Sequence, residues 1–418
     1  MTTHHDASRR FAVDVVRTLR EHGHQALWAG GCVRDHLVGR IPKDYDVATD
    51  APPERVREIF GRRRTIPVGL SFGVVTVLGR PDALPIEVAT FREDVGYSDG
   101  RHPDAVRFSS PNEDAQRRDF TINGLFFDPL SDEVHDYVGG RDDLAAGIVR
   151  AIGDPRKRFD EDRLRMLRAV RFATDFAFDI DPATWQAIVE RADAVAAVSP
   201  ERIAAELRRM LAHPRRAAAL ERLRDGGLLA PILPEIDRRL TEPTVRADVE
   251  RSLRALSLAE FPTAMAVLID GAAFDEPIAA AFDVARRLKL SNDERDAIVA
   301  ILRARPWLVR ANDELWPDVQ PFLAGDHGRR SLEAARAWAS DLFEHREALH
   351  WCEERLAWPA ERLDPPPLLD GRQLKQAGWK PGPEFGLWLG RVRREQLAGR
   401  LTSADEALAW IERMRSEA

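Results

Sequence analysis

Asp44 and Asp46 flank Tyr45 within the stretch Gly30–Asp50, GGCVRDHLVGRIPKDYDVATD. Tyr45, Val47, Ala48 and Thr49 suit a β-strand, where residues i and i+2 share a face roughly 7 Å apart. Two carboxylates so placed can share a pair of Mg²⁺ ions, which take hard oxygen ligands, typically one or two carboxylates plus substrate phosphates. The Gly30-Gly31 turn just upstream lets backbone N–H groups approach a triphosphate closely. A lone D-x-D is commonly a solvated strand end. Here it follows a strand, a Gly-Gly turn, Arg34-Asp35 and Gly39-Arg40, and the compound pattern points to metal-assisted nucleotidyl transfer.

Three further groups could serve that chemistry. Glu87, in the strand-like PIEVATFR, is costly to bury unpaired. It is either half of a surface pair with Arg92 or a third carboxylate assisting deprotonation of an attacking hydroxyl. In QRRDFTINGLFF, Arg118 precedes Asp119, and Asn123 falls one turn beyond if Asp119 opens a helix. Asp119 then caps that helix, grips ribose hydroxyls together with Asn123, or both, while the arginines neutralise phosphate. Glu161-Asp162-Arg163-Leu164-Arg165 lies in DEDRLRMLRAVRF, read as one helix with Leu164, Leu167 and Phe172 buried. Asp162 and Arg165, at i and i+3, form a reader of bases, unless an ordinary Glu161–Arg165 or Asp162–Arg165 surface pair stands there instead. A carboxylate accepts from the amino group of cytosine or adenine, and a guanidinium donates to their ring acceptors. Uracil and guanine present the opposite pattern, and such mismatches can discriminate by roughly 10⁴.

The elements that must position these residues divide the chain. Strand-like segments cluster between residues 25 and 140, at Ala26–Ala29, Ile66–Leu78, Ile86–Phe91, Val106–Ser109, Gly124–Phe127 and Glu133–Tyr137, with a helical pattern at Pro53–Arg62. IPVGLSFGVVTVL reads as a hairpin. Glu93–Phe108, acidic and glycine-rich, reads as a mobile surface loop. Gly139-Gly140 sits where a strand must turn into a helix, as a hinge or connector. Beyond about residue 155 the pattern is helical, with Gly/Pro-rich breaks near Gly226–Pro234, Pro306–Pro321 and Trp358–Leu368.

The 418 residues suffice for two to four domains. With 44% hydrophobic and 31% charged residues, the chain fits a soluble globular protein. Cys32 and Cys352 alone exclude a disulfide framework or a Cys-rich zinc site. No long apolar run and no secretory core in MTTHHDASRR are seen, so a cytoplasmic protein without membrane spans is expected. The net charge of −7 argues only mildly against a nucleic-acid partner, because binding depends on where charge sits. Arginine-rich helices near Arg208–Arg224 and Arg391–Arg400 could contact RNA or simply form solvated faces.

These motifs resemble those of the bacterial class II tRNA nucleotidyltransferases, a family of CCA-adding, A-adding and CC-adding enzymes with poly(A) polymerase relatives. GGCVRDHLVGRIPKDYDVAT is similar to the family's metal and triphosphate motif, RRDFTINGL to its ribose motif, DYVGGRDDL to its hinge motif and EDRLR to its base-template motif. SPERIAAELRRML is similar to the helix closing the neck, and LLDGRQLKQAGWKPGPEFGLWL to the tail segment. The resemblance runs almost continuously over residues 25–211. It implies an α+β fold: a nucleotidyltransferase head with a small mixed sheet (residues 1–143), then an all-helical neck (144–212), body (213–305) and tRNA-binding tail (306–418).

It further implies that Asp44 and Asp46 ligate two Mg²⁺ ions, with Glu87 as supporting carboxylate. Arg34 and the Gly30-Gly31 backbone would hold the triphosphate. Asp119 and Asn123 would contact the ribose with Arg118 nearby, Asp162 and Arg165 would read the base, and Arg168 would face the phosphates. The implied substrates are CTP, ATP and tRNA, the tRNA 3′-hydroxyl attacking the α-phosphorus with release of pyrophosphate. EDVGYSDGRHP is similar to a flexible loop that CC-adding members lack, and IPVGLSFGVVTV to CCA-adding members. Full CCA addition is therefore expected. A-only addition or a poly(A) polymerase stays open, as does a non-catalytic RNA-binding protein on the same scaffold, which would be expected to lose Asp44 or Asp46.

Overall fold

The computed structural model describes residues 2–69, 73–79, 81–96, 105–258, 260–272, 274–340, 343–380, 382 and 384–416. The chain forms two compact units, Met1–Glu206 with Glu221–Ile232, and Leu207–Leu220 with Leu233–Ala418.

The first unit opens with helix α1 (Thr2–Glu21), which buries Ala12, Val15, Val16 and Leu19. Those four follow the i, i+3, i+4, i+7 spacing of an amphipathic helix, a signal legible in the sequence. Strand β1 (Ala26–Ala29), helix α2 (Gly31–Leu37), strand β2 (Asp46–Thr49), helix α3 (Pro53–Phe60) and strands β3 (Thr65–Gly69), β4 (Val74–Val77) and β5 (Ile86–Thr90) follow. Next come strands β6 (Arg92–Val95) and β7 (Ala105–Phe108), helix α4 (Pro111–Gln116) and strands β8 (Leu125–Asp128) and β9 (Glu133–Asp136). A mixed seven-stranded sheet runs β3-β4-β5-β2-β1-β8-β9. Among the described residues its only parallel pair is β2 with β5, in the register Asp46↔Glu87 through Thr49↔Thr90. Leu27, Ala29, Ala48, Phe91, Ala115 and Phe126 form a core cluster against it.

The hairpin expected over IPVGLSFGVVTVL is present as antiparallel β3 and β4; residues 70–72 lie outside the described residues. Part of the expected surface loop at Glu93–Phe108 is instead a two-stranded ladder, Arg92↔Phe108 to Val95↔Ala105. Cross-strand Glu93–Arg107 pairing supports it. The remainder of that loop, residues 97–104, lies outside the described residues.

Strand β9 leads into helix α5 (Gly140–Ala146) through Gly139, whose φ of 76° is left-handed. A Cβ at Gly140 would lie 2.2 Å from the Thr121 carbonyl oxygen, so only glycine seats there. Asp136 accepts the N–H groups of Val138, Gly140 and Arg141, and Thr121 donates its hydroxyl to Asp143 at 2.7 Å. Arg150 forks onto Asp143 and also pairs with Asp181. The connector is thus a packed, hydrogen-bonded junction.

Strand β10 (Ile148–Val149) and helices α6 (Pro155–Glu161) and α7 (Leu164–Phe176) come next, then strand β11 (Asp179–Ile180) and helices α8 (Pro182–Arg191) and α9 (Pro200–Leu211). Leu164, Leu167 and Phe172 are buried as expected. The single helix read over DEDRLRMLRAVRF is two. Asp162, with φ −147° and ψ 105°, breaks it, and its side chain accepts the Leu164 N–H at the start of α7. Aspartate prefers such capping to a helix interior because its carboxylate competes for nearby N–H groups.

The second unit is helical throughout its described residues. Its central helices, Pro243–Ala255, Phe261–Gly271, Asn292–Leu308 and Gly328–Trp338, bury Val249, Leu253, Met265, Ile269, Ile298, Ile301, Leu332 and Ala335. The break read at Pro306 falls inside Asn292–Leu308, two residues before its end, where the proline cannot supply an N–H to the Leu302 carbonyl. A separate cluster of Leu374, Trp388, Val392, Leu401, Ala407 and Ile411 closes the C-terminal helices.

Candidate functional site

Asp44 lies in the turn just before β2, Asp46 is its first residue, and Tyr45 between them is buried while both aspartates are exposed. That alternation is what the D-x-D spacing requires for a shared face. Glu87 on the parallel neighbour β5 is the Cα register partner of Asp46 and is also exposed. Arg92, its alternative partner by sequence, pairs instead with Asp94 at 3.1 Å. Burial pushes the Asp46 carboxyl up to about 7; the charges of Asp44 and Glu87 push the same way, and Arg118 pulls back. Asp46 is thus open to solvent on one side and crowded by protein on the others, as a recessed carboxylate would be.

Among the described residues no three His, Cys, Asp or Glu side chains close into a ready-made metal cage. The donor set still fits Mg²⁺. It comprises hard oxygen donors at the starts of two parallel strands, mutually repelling and solvent-accessible, which leaves coordination positions for phosphate oxygens. Cys32 beneath them is a buried thiol pushed up to about 12, first by burial and then by Asp46, so it is inert.

A second constellation adjoins the first. Gly30, with φ 72°, caps α2, and a Cβ there would meet the Arg118 guanidinium at 2.6 Å. Gly31 is the first residue of α2. Arg34 is nearly buried: it donates to Asn123 Oδ1 at 2.6 Å and to Asp35 Oδ1 at 2.7 and 2.9 Å, and its guanidinium lies over Phe172 and Phe176 of α7. Asn123 in turn donates to Asp119 Oδ1 at 3.0 Å, and Arg168 forks onto Asp119 Oδ2 at 2.6 and 2.8 Å. Burial alone would raise the Asp119 carboxyl, but the Arg168 charge and the bonds from Asn123 and Arg168 hold it down at about 2.

Asp119 does not open an α-helix. The Thr121 N–H bonds to the Arg150 carbonyl and the Ile152 N–H to the Asp119 carbonyl, so the backbone is tied across the fold. A single 3₁₀ turn, Thr121–Asn123, folds Asn123 back onto Asp119.

Asp162 and Arg165 are joined through the backbone, the Arg165 N–H bonding to the Asp162 carbonyl at 3.0 Å, while their charged groups engage other residues. Arg165 donates to Glu161 Oε2 at 2.5 Å, to the Arg158 carbonyl at 3.0 Å and to the Arg117 carbonyl at 3.4 Å. Asp162 receives both terminal nitrogens of Arg202 at 3.2 and 2.8 Å. Both side chains nevertheless act electrostatically on the Asp119–Arg168 pair. Arg165 contributes to lowering Asp119, and Asp162 to raising Arg168.

Two supporting residues, Asp114 and Arg202, were not singled out from sequence. Asp114 is almost fully buried and receives Arg117 at 2.7 Å, Arg118 at 2.9 Å and the Arg92 N–H at 3.3 Å. Its i+3 and i+4 spacing to the two arginines was a readable signal. Arg202 carried none, being 40 residues from Asp162. The Glu161–Arg165 pair, weighed from the sequence, is present.

Several arginines read as possible RNA contacts have internal partners. Arg208 forks onto Glu294, Arg394 onto Asp318 and Arg400 onto Glu395. Arg216 is buried against the His213 and Leu256 carbonyls.

A family model described as the poly A polymerase head domain matches residues 26–150, and one for a probable RNA and SrmB-binding site of polymerase A matches residues 177–240. The chain is 38% identical to the CCA-adding enzyme of Geobacillus stearothermophilus over 333 residues, 78% of this chain and 77% of that one. It is 33% identical to the CCA-adding enzyme of Lactobacillus helveticus over 413 residues, 95% of each. The crystal structure of the Bacillus stearothermophilus CCA-adding enzyme in complex with CTP superposes with a TM-score of 0.80 at 30% identity, covering 97% of both chains.

Proposed function

The chain belongs to the tRNA nucleotidyltransferase family of CCA-adding enzymes and bacterial poly(A) polymerases, and from that premise we propose that it completes tRNA 3′ ends by adding C, C and A from CTP and ATP. The observation that carries this is the convergence of Asp44, Asp46 and Glu87 beside the Arg118–Asp119–Asn123–Arg168 network. In this assignment Asp44 and Asp46 hold Mg²⁺, two ions in all, which when bound would neutralise the triphosphate and polarise the attacking 3′-hydroxyl. Glu87 takes up the proton of that hydroxyl. Arg118, fixed over Gly30 by Asp114, meets the phosphates together with the N–H groups at the start of α2. Asp119 and Asn123 orient the ribose, and Arg34 acts through Asn123. Asp162 accepts from the amino group of the incoming base, and Arg165, braced by Glu161, donates to its ring acceptors.

Labelled nucleotides on two tRNA substrates test this. A tRNA lacking CCA should take up two C residues and then A. Labelling by ATP alone, and only on a tRNA already ending in CC, would instead make the protein an A-adding enzyme.

The raised Asp46 carboxyl has a pH consequence. With its proton leaving near pH 7, a cation must displace that proton at lower pH. The Mg²⁺ concentration giving half-maximal incorporation should rise by about tenfold per pH unit below 7 and level off above about 8. A Mg²⁺ requirement that is flat from pH 6 to 8 would show that no proton on Asp46 competes with the cation.

A further inference from the structure

We propose that Arg202 is a positioning residue that leaves Asp162 a single acceptor direction, and thereby sets the preference for C and A over U and G. This rests on Asp162 being the base reader. Each carboxylate oxygen offers two acceptor positions. Asp162 Oδ1 uses both, on the Leu164 N–H at 3.1 Å and on Arg202 Nη1 at 3.2 Å. Oδ2 uses one, on Arg202 Nη2 at 2.8 Å. One position remains, on Oδ2. The planar fork of the guanidinium fixes the plane of the carboxylate, and the Leu164 N–H fixes which oxygen faces the start of α7. Both side chains are largely withdrawn from solvent, at 24% and 16% exposure, so water cannot readily substitute for a missing partner.

An exocyclic amino group at the remaining position is satisfied. A carbonyl of uracil or guanine there sets one acceptor against another, and that mismatch is costly out of water. Arg165 does not relieve it, being held by Glu161 and the Arg158 carbonyl. Without Arg202 the Asp162 carboxylate is anchored by a single N–H and turns about its broad terminal torsion. It can then rotate away from a carbonyl, and the penalty for the wrong base falls.

The test uses the full-length enzyme and its Arg202→Met, Arg202→Gln and Asp162→Ala variants. The kcat/KM for CTP against UTP is measured on tRNA lacking CCA, and for ATP against GTP on tRNA ending in CC. Arg202→Met should lower both ratios by about tenfold or more, with kcat for the correct nucleotide falling less than about threefold. A purely structural role would slow all four nucleotides alike and leave the ratios in place. Should Arg202→Met not fold, Arg202→Gln, which offers one neutral donor group in place of the fork, carries the same expectation. Ratios unchanged in the Arg202 variants but lowered in Asp162→Ala overturn the role of Arg202 alone. Ratios unchanged in all three variants overturn Asp162 as the base reader.

Discussion

Replacing Asp44 by alanine is expected to reduce nucleotide incorporation by about a thousandfold or more, because the several kcal/mol that metal coordination supplies to a phosphoryl transition state is lost. Asp44 is exposed and precedes β2, so its removal leaves the sheet register and the buried Tyr45 untouched. Affinity for tRNA, measured by filter binding at fixed salt, should stay within about twofold, since backbone phosphate contacts dominate it. Melting temperature should hold or rise, because one of the carboxylates repelling Asp46 is gone. Equal loss of binding and incorporation would show that Asp44 does something other than hold the cation.

Asp162→Ala should act on choice rather than speed. On its proposed role, the variant removes the acceptor for the exocyclic amino group while leaving Arg165 held by Glu161, and Arg117 and Arg118 held by Asp114. The kcat/KM preference for CTP over UTP, and for ATP over GTP, should fall by about a hundredfold, while kcat for the correct nucleotide falls by about tenfold or less. Arg202 loses its fork partner in this variant, and a melting temperature measured beside the kinetics separates lost stability from lost choice. If the preference stands unaltered, the Asp162 carboxylate is a helix cap and nothing more.

The parts of this architecture set by local pattern were legible in the sequence. Ala26–Ala29 is a strand at the expected residues, and Asp44, Tyr45 and Asp46 alternate outward, inward, outward as period two demands. What escaped was set by partners far along the chain. Whether Asp162 continues a helix or ends one is decided by its side chain capturing the Leu164 N–H and by Arg202 on another helix. No spacing within EDRLR encodes that competition. The 3₁₀ turn at Thr121–Asn123 likewise follows from hydrogen bonds to residues 150–152. The carboxylates of Asp44, Asp46 and Glu87 fall into place because strand pairing is regular, whereas the arginine network depends on which acid reaches which fork first.

The fit of Gly140 against the Thr121 carbonyl carries a mechanical implication. With no room for even a methyl group between them, and with Asp143 gripping the Thr121 hydroxyl and the Arg150 fork, the segments 119–123 and 139–143 behave as one welded block. A paired glycine usually suggests a pivot, yet here a displacement of residue 150 is passed directly to the loop at residues 119–123.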